Sequence, residues 1–296
     1  MLARRGRREK CDAAPARDGK MTGGRGGGDL GLRGSLDNVA IILSFFVGHW
    51  LLSVFFQTFF LHRYSAHRMF SMSKGWERFF YLCTFVFQGA SFLQPRAYAI
   101  LHREHHAYSD TEKDPHSPHH AKHFFDMMWK TALLYGALVR RQREPEAKFE
   151  GGYPQWKLLD DLGESWLVRF AFGVAYTLVY LKFAPHWGWF VLLPAHYLMG
   201  PIHGAIVNWG GHMLGYRNFD IDDKSRYTVP FDFLTLRELF QNNHHRYGQA
   251  VKFSVRAFEV DPTYVMIRVF AALRIVKLEK EQVARWSPEA VPSAAE

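Results

Sequence analysis

Cysteine is scarce in this sequence, which has two in 296 residues, Cys11 and Cys83. They lie far apart and form no Cys-x-x-Cys pair, so the chain has neither a disulfide framework nor an iron–sulfur or rubredoxin-type site. A dinucleotide-binding glycine fingerprint and a haem motif are absent as well. If this chain catalyses a redox reaction, its electrons must therefore come from a separate protein.

A recognisable nucleic-acid-binding motif is also missing, although the formal net charge is +9. The Lys and Arg residues are spread among aromatic and His-rich segments instead of forming a basic motif. This basic balance favours anionic lipid headgroups as the partner. We expect no nucleic acid partner.

The mean hydropathy of −0.19 is low, yet aromatic residues make up 16% of the chain and Phe alone numbers 26. The apolar residues must therefore be concentrated in segments, with a polar remainder. Segments 39–61, 166–183 and 187–207 are long and apolar enough to be transmembrane helices. Pro194 and Pro201 are expected to kink the third. Segment 79–93 is shorter and interrupted by polar residues.

Histidine is abundant, with 16 copies, and several lie at metal-ligand spacing. If helical, His102, His105 and His106 can share one face, because residues three and four apart are neighbours. His62 and His67 are five apart, which places them roughly 140° out of line on a straight α-helix. They then serve different metals, or the helix breaks between them.

Two further groups complete the set. Asn208 and His212 are four residues apart, and the adjacent His244 and His245 diverge by about 100° on a helix, which suits two ions better than one. Seven or eight imidazoles exceed what one zinc ion needs, so two metals are implied. Imidazole binds Zn, Cu, Fe and Ni alike, so the ligands alone do not choose the metal. Seven other histidines are interpreted as ordinary surface or core residues (His49, His123, His186 and His196) or as a polar loop (His116, His119 and His120).

These groups lie in four segments that resemble the histidine boxes of the membrane fatty acid desaturases, in particular the acyl-CoA desaturase branch. The resemblance runs from about Leu36 to Tyr264. One position departs from that branch, because Gln241 stands where the third box begins with His; some related desaturases also carry Gln there. The segments are HRYSAHR at 62–68, HREHHAYSD at 102–110, NWGGHMLGYR at 208–217 and ELFQNNHH at 238–245.

The resemblance implies an all-α integral membrane protein, with few transmembrane helices and a cytoplasmic helical cap that holds a His-rich di-iron centre. It also implies O2-dependent insertion of a cis double bond into a fatty acyl chain. Asn208 would hold a metal-bound water and Gln241 would have a supporting role. Asp110, Asp114 and Glu238 are candidates to orient imidazoles. The iron ligands would be His62, His67, His102, His105, His106, His212, His244 and His245.

The partners follow from the same resemblance. Electrons would come from a donor such as ferredoxin or cytochrome b5. The acyl substrate could be linked to CoA, to a carrier protein or to a membrane lipid, and the sequence leaves chain length and bond position open. We expect a basic Gly/Arg-rich disordered tail at 1–35, the desaturase domain at 36–280 and a C-terminal tail at 281–296.

The topology is constrained by the chemistry, because all boxes must meet on one membrane face. Segment 79–93 is therefore expected to lie in the interface or to pack under the cap, and the two later spans form a hairpin. Most Lys and Arg residues of the loops fall on the face of the boxes, which predicts a cytoplasmic active site in a multi-pass protein. A single span before the first box would leave the basic tail on the opposite face, against the positive-inside rule; either the tail is an unusual extension or segment 36–61 does not cross simply. A helix at 263–278 is interpreted as either interfacial or packed against the cap.

Two other functions share parts of this pattern. A related membrane lipid hydroxylase uses similar histidine boxes, but segment 208–217 favours a desaturase. A zinc-dependent membrane lipid hydrolase or sensor is the second alternative. The absence of a carboxylate general base among the imidazoles argues against hydrolysis.

Overall fold

The computed structural model of the chain describes residues 27–226, 232–256 and 259–278, with the backbone alone for 27–34. Residues 1–26 of the predicted N-terminal tail and the predicted C-terminal tail at 281–296 lie outside the described residues. Helix α1 begins at Gly27, inside the segment predicted to be disordered. The described helices are α1 (Gly27–Phe56), α2 (Lys74–Gln88), α3 (Pro95–Tyr108), α4 (Phe124–Val139), α5 (Lys157–Glu164), α6 (Trp166–Phe183), α7 (Leu193–Ala205), α8 (Gly211–Met213), α9 (Gln241–Arg246) and α10 (Pro262–Ala272).

Three helical stretches of the described chain are long and apolar enough to cross a membrane: Ser35–Ala66, Trp166–Phe183 and Trp187–Met213. They agree with the three predicted spans, and at 1.5 Å per residue each approaches or exceeds the roughly 30 Å of hydrocarbon. Helix α1 continues directly into a π-helix, Gln57–Ala66, and α7 continues into a second, Ile206–Gly210. Both π-helices lie at the ends of spans that carry histidine boxes.

The predicted proline kink is found at one of its two positions. Pro194 lies in the first turn of α7, where the missing N–H costs nothing, so it does not bend the helix. Pro201 lies inside α7, and the backbone at Leu198 leaves helical geometry, with φ −130° and ψ 17°. A proline ring clashes with the preceding turn, which explains a break three residues upstream.

The C-terminal helix is shorter than predicted, and this prediction was wrong for its last residues. Helix α10 ends at Ala272, and the chain reverses at Arg274, which has a φ of 58°. Strand β2 (Val276–Leu278) then pairs antiparallel with β1 (Phe70–Met72). For the described residues, the all-α class is therefore correct except for this two-stranded sheet, which ties the end of the described chain to the segment after the first box.

An aromatic core surrounds the π-helix that carries the first box. Phe59 and Phe60 are fully buried, and the ring of Phe59 lies 4.8 Å from that of Phe80 in α2 and 5.4 Å from that of Phe270 in α10. Burying such rings provides much of the stability of a core. Helix α2 is thus held against α1, and its 15 residues are shorter than each of the candidate spans.

Two histidines interpreted as ordinary residues form a polar link between the spans. The Nδ1 atoms of His49 and His196 are 2.7 Å apart, His49 Nε2 lies 3.0 Å from the Phe87 carbonyl oxygen, and the Tyr180 hydroxyl lies 3.0 Å from His196 Nε2. One set of tautomers satisfies this chain: Tyr180 donates to His196, which donates to His49, which donates to the carbonyl. Both imidazoles are therefore paired as neutral groups within the helical bundle.

Candidate metal centre

Five histidines from three of the boxes converge on one point. Each offers a ring nitrogen within 4.8 Å of the nitrogens of the others. The Nε2 atom of His244 lies 3.0 Å from Nε2 of His62 and 3.0 Å from Nε2 of His106. His67 and His102 approach to 2.7 Å, again through Nε2. We call His62, His67, His102, His106 and His244 the five-histidine group.

The π-helix explains how His62 and His67 belong to the same group. On an α-helix they would diverge, but the Gln57–Ala66 segment is wound as a π-helix, and the backbone N–H of His67 donates to the carbonyl of His62 at 3.1 Å. Bonds between residues five apart place those residues nearly above each other. The helix therefore does not break between His62 and His67, and both residues belong to one group. Its turn is wider here than that of an α-helix.

A second group consists of three histidines, His105, His212 and His245, also with ring nitrogens within 4.8 Å of one another. Their ring centroids are 5.0 Å apart in each pair. We call them the three-histidine group. The helix thus divides the second box, with His102 and His106 in one group and His105 in the other. The adjacent His244 and His245 are divided in the same way, as their 100° divergence predicted.

Each group is oriented by carboxylates that bind the other ring nitrogen, Nδ1. Three of these carboxylates are the candidates that the sequence suggested. The Nδ1 to carboxylate distances are 2.5 Å for His62 and Glu238, 2.9 Å for His105 and Asp114, 2.8 Å for His212 and Asp110, and 2.7 Å for His245 and Asp223. A carboxylate on Nδ1 fixes the tautomer and turns Nε2 toward the centre.

Asp223 was missed by the sequence reasoning. It lies 22 residues before His245 in an aspartate-rich loop, outside every box, so no spacing rule connects the two. Its pKa is held below the usual value because, although burial raises it, the hydrogen bond and charge of His245 outweigh burial. The carboxylate is therefore available as an acceptor for the imidazole N–H.

Burial keeps most of these imidazoles neutral. It lowers the pKa of His102, His106 and His244 well below the usual value, and it lowers the pKa of His245 to about 4. Burial acts on His105 in the same direction, but the carboxylate of Asp114 outweighs it and raises that pKa. Neutral imidazole is the form that binds a metal.

The residues present fit two metal ions. Nε2 of His105 and of His212 are buried and have no hydrogen-bond partner among the described residues. The Nε2 atom of His244 lies beside two other ring nitrogens but carries at most one proton, so it can donate a hydrogen bond to only one of them. Hydrogen bonds alone therefore cannot satisfy all the ring nitrogens of the five-histidine group. Buried polar atoms without partners are costly, and a shared cation removes that cost.

Gln241 lies beside the three-histidine group. Its amide N–H donates to the Glu238 carbonyl oxygen at 2.6 Å, which turns Oε1 toward His245 Nε2 at 3.1 Å. Gly211 provides the space, because a Cβ there would lie 2.3 Å from the Gln241 Cγ. Asn208, in the second π-helix, lines the same cavity as Gln241.

That cavity has a volume of about 240 Å³ and reaches the five-histidine group. His62 and His102 contribute to its wall from the five-histidine group, and His116 lies beside the other. His116, interpreted from sequence as part of a polar loop, is buried and packs with its ring centroid 4.4 Å from that of His105. The lining is mostly apolar, so the cavity suits a hydrocarbon chain next to the metal centre.

Comparison with known proteins agrees with this geometry. The chain is 28% identical to the Delta-9 desaturase-like 5 protein of Arabidopsis thaliana over 237 residues, 76% of this chain and 73% of that protein. It is 26% identical to Delta-9 acyl-lipid desaturase 1 of the same plant, covering 76% and 71%, and 26% identical to the sn-1 stearoyl-lipid 9-desaturase of Anabaena variabilis, covering 76% and 78%. A sequence model of the family described as fatty acid desaturase matches residues 38–265. The protein therefore belongs to the fatty acid desaturase family of membrane oxidoreductases.

Proposed function

We propose that this protein inserts a cis double bond into a fatty acyl chain at a centre of two iron ions, with O2 as the oxidant. The supporting observation is that two histidine groups lie side by side and that one of them, through His62 and His102, forms part of the wall of a mostly apolar cavity. The reaction balances as R–CH2–CH2–R′ + O2 + 2 e⁻ + 2 H⁺ → R–CH=CH–R′ + 2 H2O. Two bound irons supply the oxidising power needed to remove hydrogen from an unactivated methylene group.

The chain itself holds and orients the reactants. The five-histidine group would hold one iron. The three-histidine group would hold the other, with Gln241 Oε1 as an additional ligand and Asn208 positioned to hold a water. The imidazole rings would be held in their orientation by the carboxylates of Asp110, Asp114, Asp223 and Glu238. The apolar lining excludes water and holds one carbon–carbon bond close to the metals.

Electrons would reach the centre from a separate protein, such as ferredoxin or cytochrome b5. The sequence supports this, because it has two distant cysteines and no cofactor-binding fingerprint. We further propose a multi-pass membrane protein whose desaturase domain covers 36–280 and whose metal centre faces the cytoplasm, where most loop Lys and Arg residues would lie.

Expression in a host that does not make the product tests this function. We expect a new cis-unsaturated fatty acid in the total lipid extract, with its position assigned by mass spectrometry, and about two irons per purified chain. A His105→Ala variant expressed to the same level is the matched control and should give no product. A hydroxylated fatty acid, or a single zinc ion in place of iron, would contradict the proposal.

The contribution of Gln241 can be tested separately. Gln241→Ala should lose about one iron per chain and reduce turnover on the order of ten- to a hundredfold, whereas Gln241→His should retain both ions. Gly211→Ala should resemble Gln241→Ala, because its Cβ would displace the glutamine. Gly210→Ala is the control, since its Cβ meets only Leu239 Cδ2 at 3.3 Å. Full iron content in Gln241→Ala would assign Gln241 a purely supporting role.

A further inference from the structure

The cavity beside the metal centre is bordered on one side by helix α4, which no sequence pattern had singled out. We propose that the space between α4 and α7 is a lateral portal, through which the acyl chain of a membrane lipid enters the cavity from the bilayer. This inference rests on the desaturase function proposed above and adds the carrier of the acyl group.

Helix α4 lines the cavity with one of its faces. Met128, Thr131, Ala132 and Tyr135 belong to that face, as their spacing of three and four residues requires. On the flank of this face, one turn beyond Tyr135, Leu138 is fully buried among residues of α3 and holds the helix in place.

A second face of α4 is apolar and exposed. Phe125, Trp129 and Leu133 follow one another at intervals of four residues, and their exposed fractions are 75%, 66% and 52%. Large apolar side chains in a continuous exposed stripe indicate a contact surface, because water does not favour them. The stripe ends in aromatic residues, which are enriched at membrane–water interfaces.

The two faces are neighbours on the helix. At about 100° per residue, the centre of the cavity face and the centre of the exposed stripe lie about 110° apart. Ala132 lies on the boundary, since it lines the cavity and is itself exposed. The apolar surface of the cavity therefore continues directly into the exposed stripe, without a polar ridge between them.

The next face of α4 is polar. Asp126 and Lys130 form an ion pair of 2.9 Å on the far side of the stripe from the cavity. A helix with a bulky apolar stripe beside a charged face, and which is not among the candidate spans, has the pattern of a helix that lies in the membrane interface. In this orientation the apolar stripe faces lipid, including the edge of the stripe that borders the cavity.

Helix α7 forms the opposite side of the portal. Pro201, Gly204 and Asn208 lie on one face of this span, line the same cavity and are half-exposed. They belong to the candidate span Trp187–Met213, so the gap beside them faces the bilayer. The cavity lining that α4 and α7 contribute includes the small side chains of Ala132, Pro201 and Gly204, which leave room for a hydrocarbon chain.

The charged side chains that line the cavity favour a lipid whose acyl chain enters while its headgroup stays outside. Among the described residues that line the cavity, Arg169 is the one with a Lys or Arg side chain. Its guanidinium donates to the carbonyl oxygens of Ala90 and Phe92 and pairs with Glu164 at 3.3 Å. It is thus not available for a phosphate, and a lipid headgroup would remain in the interface while the acyl chain enters.

The membrane position of α4 is tested first, by a measurement that needs no activity. Single nitroxide labels are placed at positions 129 and 133 of the full chain, with Cys11 and Cys83 changed to Ala, in nanodiscs of phosphatidylcholine and phosphatidylglycerol. We expect both labels to collide more often with O2 than with a water-soluble nickel chelate, like a label at Val174 within α6. A label at Glu112, in an exposed loop, should show the opposite ratio. A water-like ratio at positions 129 and 133 would overturn the proposal.

The portal itself is tested by narrowing it. Ala132→Phe should weaken the binding of a phosphatidylcholine with a doxyl-labelled acyl chain by about tenfold, measured as quenching of tryptophan fluorescence in detergent. Ala137→Phe is the matched control on the polar side of the same helix and should leave binding unchanged. Equal binding by the two variants would overturn the portal. If no fatty acid product were ever found, the desaturase function would fail, whereas these two measurements would still report on the portal.

Discussion

Replacing His244 with alanine is expected to abolish desaturation and to remove at least one iron per chain. The Nε2 atom of His244 lies 3.0 Å from those of both His62 and His106, so its loss opens the middle of the five-histidine group. His244 itself is 1% exposed, whereas His67, His102 and His106 are half-buried. Losses of outer-shell partners already cost ten- to a hundredfold, so the loss of a direct ligand should exceed about a hundredfold.

The measurement combines fatty acid product with iron content in the same purified sample. His186→Ala serves as control, because this exposed imidazole only accepts a hydrogen bond from the Gly188 backbone N–H at 3.2 Å, in the turn between α6 and α7. The control should keep both irons and full turnover. Wild-type turnover in His244→Ala would show that the five-histidine group does not hold a catalytic metal.

Replacing Arg63 with methionine is expected to destabilise the protein by about 3–5 kcal/mol, the usual cost of breaking a buried ion pair. Arg63 is fully buried and its Nη2 lies 3.0 Å from Oδ2 of Asp261. The guanidinium also lies 3.9 Å over the ring of Phe253. Without it the Asp261 carboxylate stays buried, holding the N-terminus of α10 through the Tyr264 backbone N–H. The substitution therefore leaves an uncompensated charge between the first box and the C-terminal segment.

Thermal unfolding in detergent, followed by tryptophan fluorescence, measures this loss. The double variant Arg63→Met with Asp261→Asn should recover part of the stability, because the unpaired charge is then removed. Lys157→Ala is the control, since Lys157 and Asp161 are 88% and 62% exposed and their ion pair should be worth less than about 1 kcal/mol. An unfolding temperature for Arg63→Met equal to that of Lys157→Ala would contradict the prediction.

Several features of the fold and of the candidate site were predictable because they depend on local periodicity. Long apolar runs located the three spans, since a membrane requires about 20 apolar residues in one helix. The adjacency of His244 and His245 predicted two groups, since neighbours on a helix diverge by about 100°. Asp114 was predictable as a partner of His105 because it follows nine residues later in the chain, whereas the pairing of Asp110 with His212 joins residues 102 positions apart.

Other features depended on contacts between distant segments. Segment 263–278 has a helical apolar stripe, but β2 forms because Val276–Leu278 reaches β1 more than 200 residues earlier and Arg274 reverses the chain before it. Asp223 reaches His245 through a loop that no motif contains. The sequence pattern of α4 does not distinguish a helix in the membrane interface from a helix buried in the cap, since both have an apolar stripe.

The sequence by itself determined that this protein is a desaturase-like membrane protein with a His-rich centre, because ligand types and their spacing are local properties. Only the tertiary structure decided how those ligands are divided. A π-helix brings His62 and His67 together where an α-helix would separate them, since its hydrogen bonds join residues five apart. The orientation of Gln241 likewise depends on Gly211, 30 positions away, because a Cβ there would collide with the glutamine side chain that extends toward His245.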